Sequence, residues 1–321
     1  MMDEGHRTQE PLALIHARCL HKQFGDTCAV DDLNLEIDAG EIYALMGPDG
    51  AGKTTTMRLL SGILRPDSGS IHLAGISLTD HPDAARANIG YLAQSFSLYE
   101  DLTVLENIRF FAEVRGVRGA DWLDRANGVM QFVDMEAFSG RLAGALSGGM
   151  KQKLALAVAL VHQPPILLLD EPTGGVDPIT RQAFWRLITR LLSEGVAVIL
   201  TTPYMDEAAR CHRVGFLHNG RMIVEGSPPD LASALAGRTL MLRGSPLRLW
   251  AQEARALSAV DYVQPFGDNL HLIVGQGKLE QVLQKLEQIN QRSDDLTLER
   301  VEPISATLED AFVSILMQEG S

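Results

Sequence analysis

The chain has 321 residues, 45% of them apolar, and a formal charge of −13. That length admits one large domain and a small one, and the apolar fraction is that of an ordinary globular core. The acidic balance argues against a nucleic-acid binder, which normally shows a basic stripe, so no nucleic-acid partner is expected.

Residues 11–39 alternate apolar and polar positions, as in Leu33-Asn34-Leu35-Glu36-Ile37, the pattern of half-buried strand. Asp38-Ala39-Gly40 reads as a turn. Glu41–Met46 is a short apolar run that leads into a glycine-rich loop, and Thr54–Ser61 reads as a helix. Ile71–Ala74 is a further strand, and residues 103–160 read as mainly helical. Ile166–Leu169 and Val196–Leu200 are continuous apolar runs that suit buried parallel strands. Helical stretches separate them, which places the chain in the α/β class.

Composition changes from Ser227-Pro228-Pro229 to Gly237. Beyond it the pattern predicts strand (Thr239–Leu242), helix (Leu247–Leu257), strand (Val260–Val263), strand (Leu270–Val274), helix (Lys278–Ile289), strand (Leu296–Val301) and helix (Leu308–Met317). Up to Val301 this β-α-β-β-α-β order is ferredoxin-like.

Cys19, Cys28 and Cys211 are scattered, with no CxxC and no Cys/His cluster along the chain. A disulfide framework and a zinc site are therefore not expected, and a reducing compartment is. The opening MMDEGHRTQEP lacks the basic and apolar blocks of a signal peptide. No run approaches the roughly 20 apolar residues that cross a bilayer. Work at a membrane is expected to go through a partner.

Three motifs carry chemistry. Gly47-Pro48-Asp49-Gly50-Ala51-Gly52-Lys53-Thr54, followed by Thr55, has the form G-x-x-x-x-G-K-[ST] between a strand and a helix. Glycines let backbone N–H groups close around phosphates, Lys53 reaches the β- and γ-phosphates, and the Thr54 hydroxyl suits Mg²⁺. Ile166–Leu169 ends in Asp170-Glu171, where Asp170 suits a Mg²⁺ partner and Glu171 is placed to polarise an attacking water. The plainer alternative is an acid that caps the next helix. Leu146-Ser147-Gly148-Gly149-Met150 opens a helix with Met150, Leu154, Ala157, Val158 and Val161 on one face. Its N-terminus is an anion site or, more plainly, an ordinary serine cap.

P-loop, Gln94, the LSGGM segment, Asp170–Glu171 and Gly175-Val176-Asp177-Pro178 follow one another in an order that resembles the ATP-binding-cassette (ABC) transporter ATPases over about residues 11–230. The tail, ending in Thr307-Leu308-Glu309-Asp310-Ala311-Phe312, resembles the extension of drug-exporter ATPases that pair with ABC-2-type permeases. The resemblance implies a RecA-like P-loop NTPase core with antiparallel β and helical subdomains, the helical one at about 95–150. It gives a cassette over 11–236 and a ferredoxin-like accessory or regulatory domain over 237–321. It implies that Phe24 stacks on adenine, with an ordinary core aromatic as the alternative, and that Gln94 senses Mg²⁺ and γ-phosphate. Ser147, Gly148, Gly149 and Asp177 would act on ATP held by a second cassette, so the unit would be a dimer. Phe96–Val104, with Phe96, Leu98 and Tyr99, would receive a permease helix, placing the chain on the cytoplasmic face of the membrane.

One departure matters. The family carries a histidine after the strand that follows the Asp–Glu pair. Here Thr201-Thr202-Pro203-Tyr204 puts Pro203 at that position. Proline offers no side-chain donor, and it suits a helix start capped by Thr202. Neither His212 nor His218 stands at the matching place. Asp49 replaces a frequent asparagine and is expected to turn outward. The resulting expectation is an ATP-binding export subunit that hydrolyses slowly at its own site. The alternative is a nucleotide-binding regulatory or structural module.

Overall fold

A computed structural model describes residues 13–94, 98–119, 121–293 and 295–319. The chain divides into two compact units, Met1–Val224 and Glu225–Ser321. This break lies ahead of the boundary expected at 236/237.

In the first unit, β1 (Ile15–Phe24) and β2 (Thr27–Ile37) form an antiparallel hairpin. β3 (Ile42–Met46) then leads into the glycine loop and α1 (Lys53–Leu60). β4 (Ser68–Leu73) and β5 (Ile76–Ser77) complete a four-stranded sheet of order β2-β1-β4-β5. α2 (Pro82–Arg86) and β6 (Ile89–Leu92) follow. A helical block comes next: α3 (Val104–Val114), α4 (Asp121–Phe132) and α5 (Gly148–Leu160). The chain returns through β7 (Ile166–Asp170), α6 (Pro178–Ser193), β8 (Ala197–Thr201), α7 (Met205–Ala208), β9 (Arg213–His218) and β10 (Arg221–Gly226).

The large sheet has the order β10-β9-β3-β8-β7-β6, and β9, β3, β8, β7 and β6 run parallel. Every residue of β3, β7 and β8 is buried, which is why these strands read as unbroken apolar runs. Side chains of β3, β7, β8 and α1 share one core with the inner faces of β1, β2 and β4. β3 and β7 run parallel with β8 between them, so the loops that follow them open at the same carboxyl edge of the sheet, where open α/β sheets place their ligands.

Two helices differ from expectation. α5 is buried on all sides from Leu154 to Leu160, where one apolar face is expected. Alanines alternate with large residues there, so the helix packs around its whole circumference. The cap of α7 is Tyr204, not Thr202. The Thr202 hydroxyl instead accepts from Tyr204 N at 3.1 Å and donates to Glu207 Oε2 at 2.6 Å.

In the second unit, α8 (Pro228–Ser233) precedes β11 (Thr239–Ser245), α9 (Leu247–Ala256), β12 (Val260–Phe266), β13 (Asn269–Val274), α10 (Leu279–Arg292), β14 (Thr297–Pro303) and α11 (Leu308–Glu319). The sheet order is β12-β13-β11-β14, antiparallel throughout, which is the ferredoxin-like arrangement. Trp250, fully buried, anchors α9 to this sheet and donates from Nε1 to Thr297 O at 3.1 Å. Thr307 caps α11 reciprocally with Asp310, whose carboxylate also lies 3.0 Å from His271 Nδ1.

Candidate functional site: the loop after β3 and the acids after β7

The loop from Gly47 to Gly52 closes tightly on the end of β9. Gly47 has φ 147°, and a Cβ there would sit 2.2 Å from Leu217 O. Gly52 has φ 105°, and its Cβ would sit 2.2 Å from Ala29 O. Only glycine satisfies both the dihedral and the close approach. Lys53 is 7% exposed, and its Nζ donates to Gly47 O at 2.7 Å and Pro48 O at 2.9 Å. The ammonium is thus held over the loop at the N-terminus of α1. Asp49 is exposed.

A cavity of about 240 Å³ opens here, lined by Asp49, Gly50, Ala51, Gly52, Lys53, Thr54 and Thr55 from the loop. Thr27 and Ala29 of β2 form one wall, and Gln94 and Glu171 another. The structure therefore brings together the P-loop residues, Gln94 and Glu171. Gln94 Nε2 donates to Glu171 Oε2 at 3.0 Å. Glu171 has φ 51°, a left-handed conformation that is strained for a residue with a Cβ. Its backbone N–H is held by Thr201 Oγ1 at 2.9 Å. Asp170 is 1% exposed, and its Oδ1 accepts from Thr201 Oγ1 at 2.6 Å. One threonine at the end of β8 thus fixes both acids. Burial, and then the charge of Asp170, push the Tyr91 hydroxyl up to about 12. The acids cap no helix: the next one, α6, is capped by Asp177.

The oxygen donors of Thr54, Asp170 and Gln94 suit a hard divalent cation such as Mg²⁺. The N-terminus of α1, with its backbone donors and Lys53, suits phosphate.

Ser147, Gly148, Gly149 and Asp177 do not line this cavity. They form a second cluster. Ser147 caps α5 and accepts from Met150 N at 3.4 Å. Asp177 caps α6, taking Ile179 N and Thr180 N on Oδ1 at 3.0 Å each, and Thr180 Oγ1 on Oδ2 at 2.6 Å. These bonds, that from the Thr180 hydroxyl first, lower the Asp177 pKa. A Cβ on Gly149 would meet Thr180 Cγ2 at 2.7 Å, so Thr180 joins the two helix N-termini. Phe24, at the β1 end of the hairpin, is 48% exposed and is no core residue. Lys22 Nζ lies 5.5 Å from its ring centroid.

Pro203 is exposed, between β8 and α7. His212 Nδ1 accepts from Ile42 N at 3.0 Å, at the end of β3 away from the glycine loop. Neither His212 nor His218 is among the residues that line the cavity.

Two residues escaped sequence reasoning. Glu207 is 1% exposed and accepts from Thr173 Oγ1 and Thr202 Oγ1, both at 2.6 Å. It ties the loop after Asp170–Glu171 to the segment carrying Pro203. In the sequence it is one acid in what becomes the first turn of α7, with nothing local to mark these contacts. Asn107 is fully buried and brackets residues 99–103, donating to Tyr99 O, Leu102 O and Thr103 O while accepting from Tyr99 N. No sequence signal marked it. Tyr99 is 49% exposed and packs edge-on to Phe110 at 4.8 Å. Phe96, expected beside it, lies outside the described residues.

A parallel sheet, a glycine loop entering a helix and paired acids at the end of a strand one removed define a P-loop NTPase. Residues 30–174 match the ABC transporter family. Over 228 residues the chain is 40% identical to the Nod factor export ATP-binding protein I of Paraburkholderia xenovorans (strain LB400), covering 71% of this chain and 75% of that protein. Over 314 residues it is 39% identical to the probable multidrug ABC transporter ATP-binding protein YbhF of Escherichia coli (strain K12). That match covers 96% of this chain and 53% of YbhF, so the chain spans about half the length of that relative. Among solved structures, it resembles an ATP-binding subunit of an ABC transporter (TM-score 0.64, 29% identity, 70% of this chain and 93% of that one). It also resembles a dimeric bacterial ABC transporter cassette (TM-score 0.61, 30% identity, 66% of this chain and 98% of that one). The chain belongs to the ABC transporter ATP-binding family. Among the described residues no helix is long and apolar enough to cross a membrane.

Proposed function

We propose that the chain is the ATP-binding subunit of an exporter, that it works against a separate ABC-2-type permease, and that it hydrolyses ATP slowly at its own P-loop. The observation that carries this reading is that Gln94 and Glu171, hydrogen-bonded to each other and tied to Asp170 through Thr201, share one cavity with the P-loop.

ATP would lie with its phosphates on the backbone donors of Gly50–Thr54 and on Lys53, and with adenine against Phe24. Thr54, Asp170 and Gln94 would hold Mg²⁺, which when bound screens the charge of the phosphates. Glu171 would orient the attacking water and accept its proton, with Gln94 holding the carboxylate in place. Ser147, Gly148, Gly149 and Asp177 lie outside this cavity, which fits their acting on ATP bound to a second cassette. The match to just over half of YbhF leaves room in that relative for a second unit of this size. A partner cassette, in another chain or in a longer parent, would then supply faster turnover. The relatives named for multidrug and Nod factor export support an export role. The exposed Tyr99 and Phe110, beside the loop that Asn107 braces, suit a permease helix, which would place the cassette at the cytoplasmic face of a membrane. The second unit would be accessory or regulatory.

The missing histidine favours one alternative, a nucleotide-binding regulatory module with little turnover. Steady-state ATPase assays, with and without the permease, separate the two. Turnover above that of a Glu171→Gln control supports the motor; turnover that never exceeds it defeats the motor at this site.

A further inference from the structure

We propose that His21, Cys28 and Asp31 form a binding site for a borderline-soft divalent metal ion, Zn²⁺ by chemistry, on the β1–β2 hairpin. Spacing along the chain gave no hint of it. The fold does, because the hairpin is irregular. Lys22 pairs with Val30 while Gln23 pairs with Cys28, so two steps of β2 oppose one of β1. Such a bulge re-aims side chains. In a regular strand Cys28 and Asp31, three apart, would face opposite sides. Here both reach His21.

The three donor atoms converge on one point. His21 Nδ1 lies 3.3 Å from Asp31 Oδ1 and 3.9 Å from Cys28 Sγ. All three donor atoms lie within 4.8 Å of one another. Tetrahedral zinc, with bonds of about 2.0–2.3 Å, separates its donors by roughly 3.3–3.6 Å. His21 and Asp31 already stand at that spacing, and Cys28 Sγ must move toward both to close the shell. One thiolate, one imidazole and one carboxylate select a borderline-soft ion over the hard Mg²⁺ suited to Thr54 and Asp170.

The orientation of Asp31 is also fixed. Arg221 donates to Asp31 Oδ2 at 2.7 Å, leaving Oδ1 turned toward His21. Asp31 N donates to Gly220 O at 2.8 Å, which anchors the backbone. An outer partner of this kind aims a ligating carboxylate. Binding would release the Cys28 thiol proton, which now points to Val30 O at 3.5 Å, and any proton on His21 Nδ1. Two anionic ligands offset the charge of the ion, and water completes the shell. Cys28 sits between Thr27 and Ala29, which line the P-loop cavity, so a bound ion would stiffen that wall.

The test uses the whole nucleotide-free chain, titrated with Zn²⁺ against a chromophoric chelator. One ion per chain is expected in competition with the chelator. Cys28→Ser should weaken it by on the order of 100-fold, and the control Cys19→Ser should leave it unchanged. Thermal melting and ATP binding establish that the variants fold. In the unaltered protein, Zn²⁺ should slow alkylation of Cys28, read by peptide mapping, while Cys19 reacts as before. Zinc affinity equal in the wild type and Cys28→Ser, or alkylation of Cys28 indifferent to Zn²⁺, overturns the proposal. Neither result bears on ATP hydrolysis.

Discussion

Gln94 Nε2 donates to Glu171 Oε2 at 3.0 Å, across 77 residues of sequence. The bond joins the segment after β6 to the end of β7. It holds the carboxylate while Thr201 holds the backbone behind it. In the proposed reaction Glu171 acts on water, so its loss should stop turnover without stopping binding. Glu171→Gln is expected to bind ATP with affinity near the wild type and to lose at least about 100-fold in turnover. Nucleotide titration and phosphate-release assays check both halves. An unchanged rate would remove Glu171 from the mechanism.

Two glycines of the P-loop predict a graded pair of variants. At Gly50, φ is 79° and an added Cβ meets nothing within 4 Å, so Gly50→Ala suffers backbone strain alone, on the order of 1–3 kcal/mol. At Gly47 the added Cβ also strikes Leu217 O at 2.2 Å, a backbone atom of β9. Gly47→Ala should therefore melt at lower temperature than Gly50→Ala and bind ATP more weakly. Equal melting of the two would contradict the close approach.

Asn107 bonds four backbone groups of residues 99–103 from the first turns of α3. Alanine leaves Tyr99 N without its acceptor and takes one of two donors from Tyr99 O, Leu102 O and Thr103 O, at about 1–3 kcal/mol. Asn107→Ala should lower stability in urea by that amount and raise amide exchange at Tyr99 and Thr103. If the chain supplies a permease, coupling should suffer more than basal ATPase activity. Unchanged exchange at Tyr99 and Thr103 would show that Asn107 does not brace the loop.

His162 supplies a pH signature. Burial first, then the charge of Arg115, lowers its pKa to about 4, against 6.5 for the free side chain. The folded chain therefore binds fewer protons than the unfolded chain between those values. The stability linked to His162 is complete above about pH 6.5 and is lost as pH falls toward 4. The full effect is on the order of 3 kcal/mol. His162→Gln should flatten that part of the stability–pH curve; an identical slope in both proteins would refute the linkage.

The parallel core was legible because β3, β7 and β8 are buried end to end and so carry unbroken apolar runs. The P-loop was legible because Gly47 and Gly52 are demanded by dihedral and contact together. The βαββαβ tail was legible from its half-buried strands and the single apolar face of α10. What stayed hidden depends on distant partners. Glu207 looked like a helix-start acid until Thr173 and Thr202 closed on it. The metal-like cluster needed a register shift between Lys22 and Cys28 that no local pattern announces. The all-round burial of α5 needed the helices and strands packed on every side of it.

In the proposed function Pro203 slows hydrolysis at this P-loop, and the Pro203→His exchange tests that most directly. Pro203 is exposed, so histidine should be tolerated there without loss of fold. Steady-state ATPase activity should be measured for wild type, Pro203→His and the double variant Pro203→His/Glu171→Gln. A gain on the order of 10²-fold in Pro203→His, abolished in the double variant, is the predicted result. Folded Pro203→His that binds ATP and hydrolyses it no faster than wild type would contradict the account.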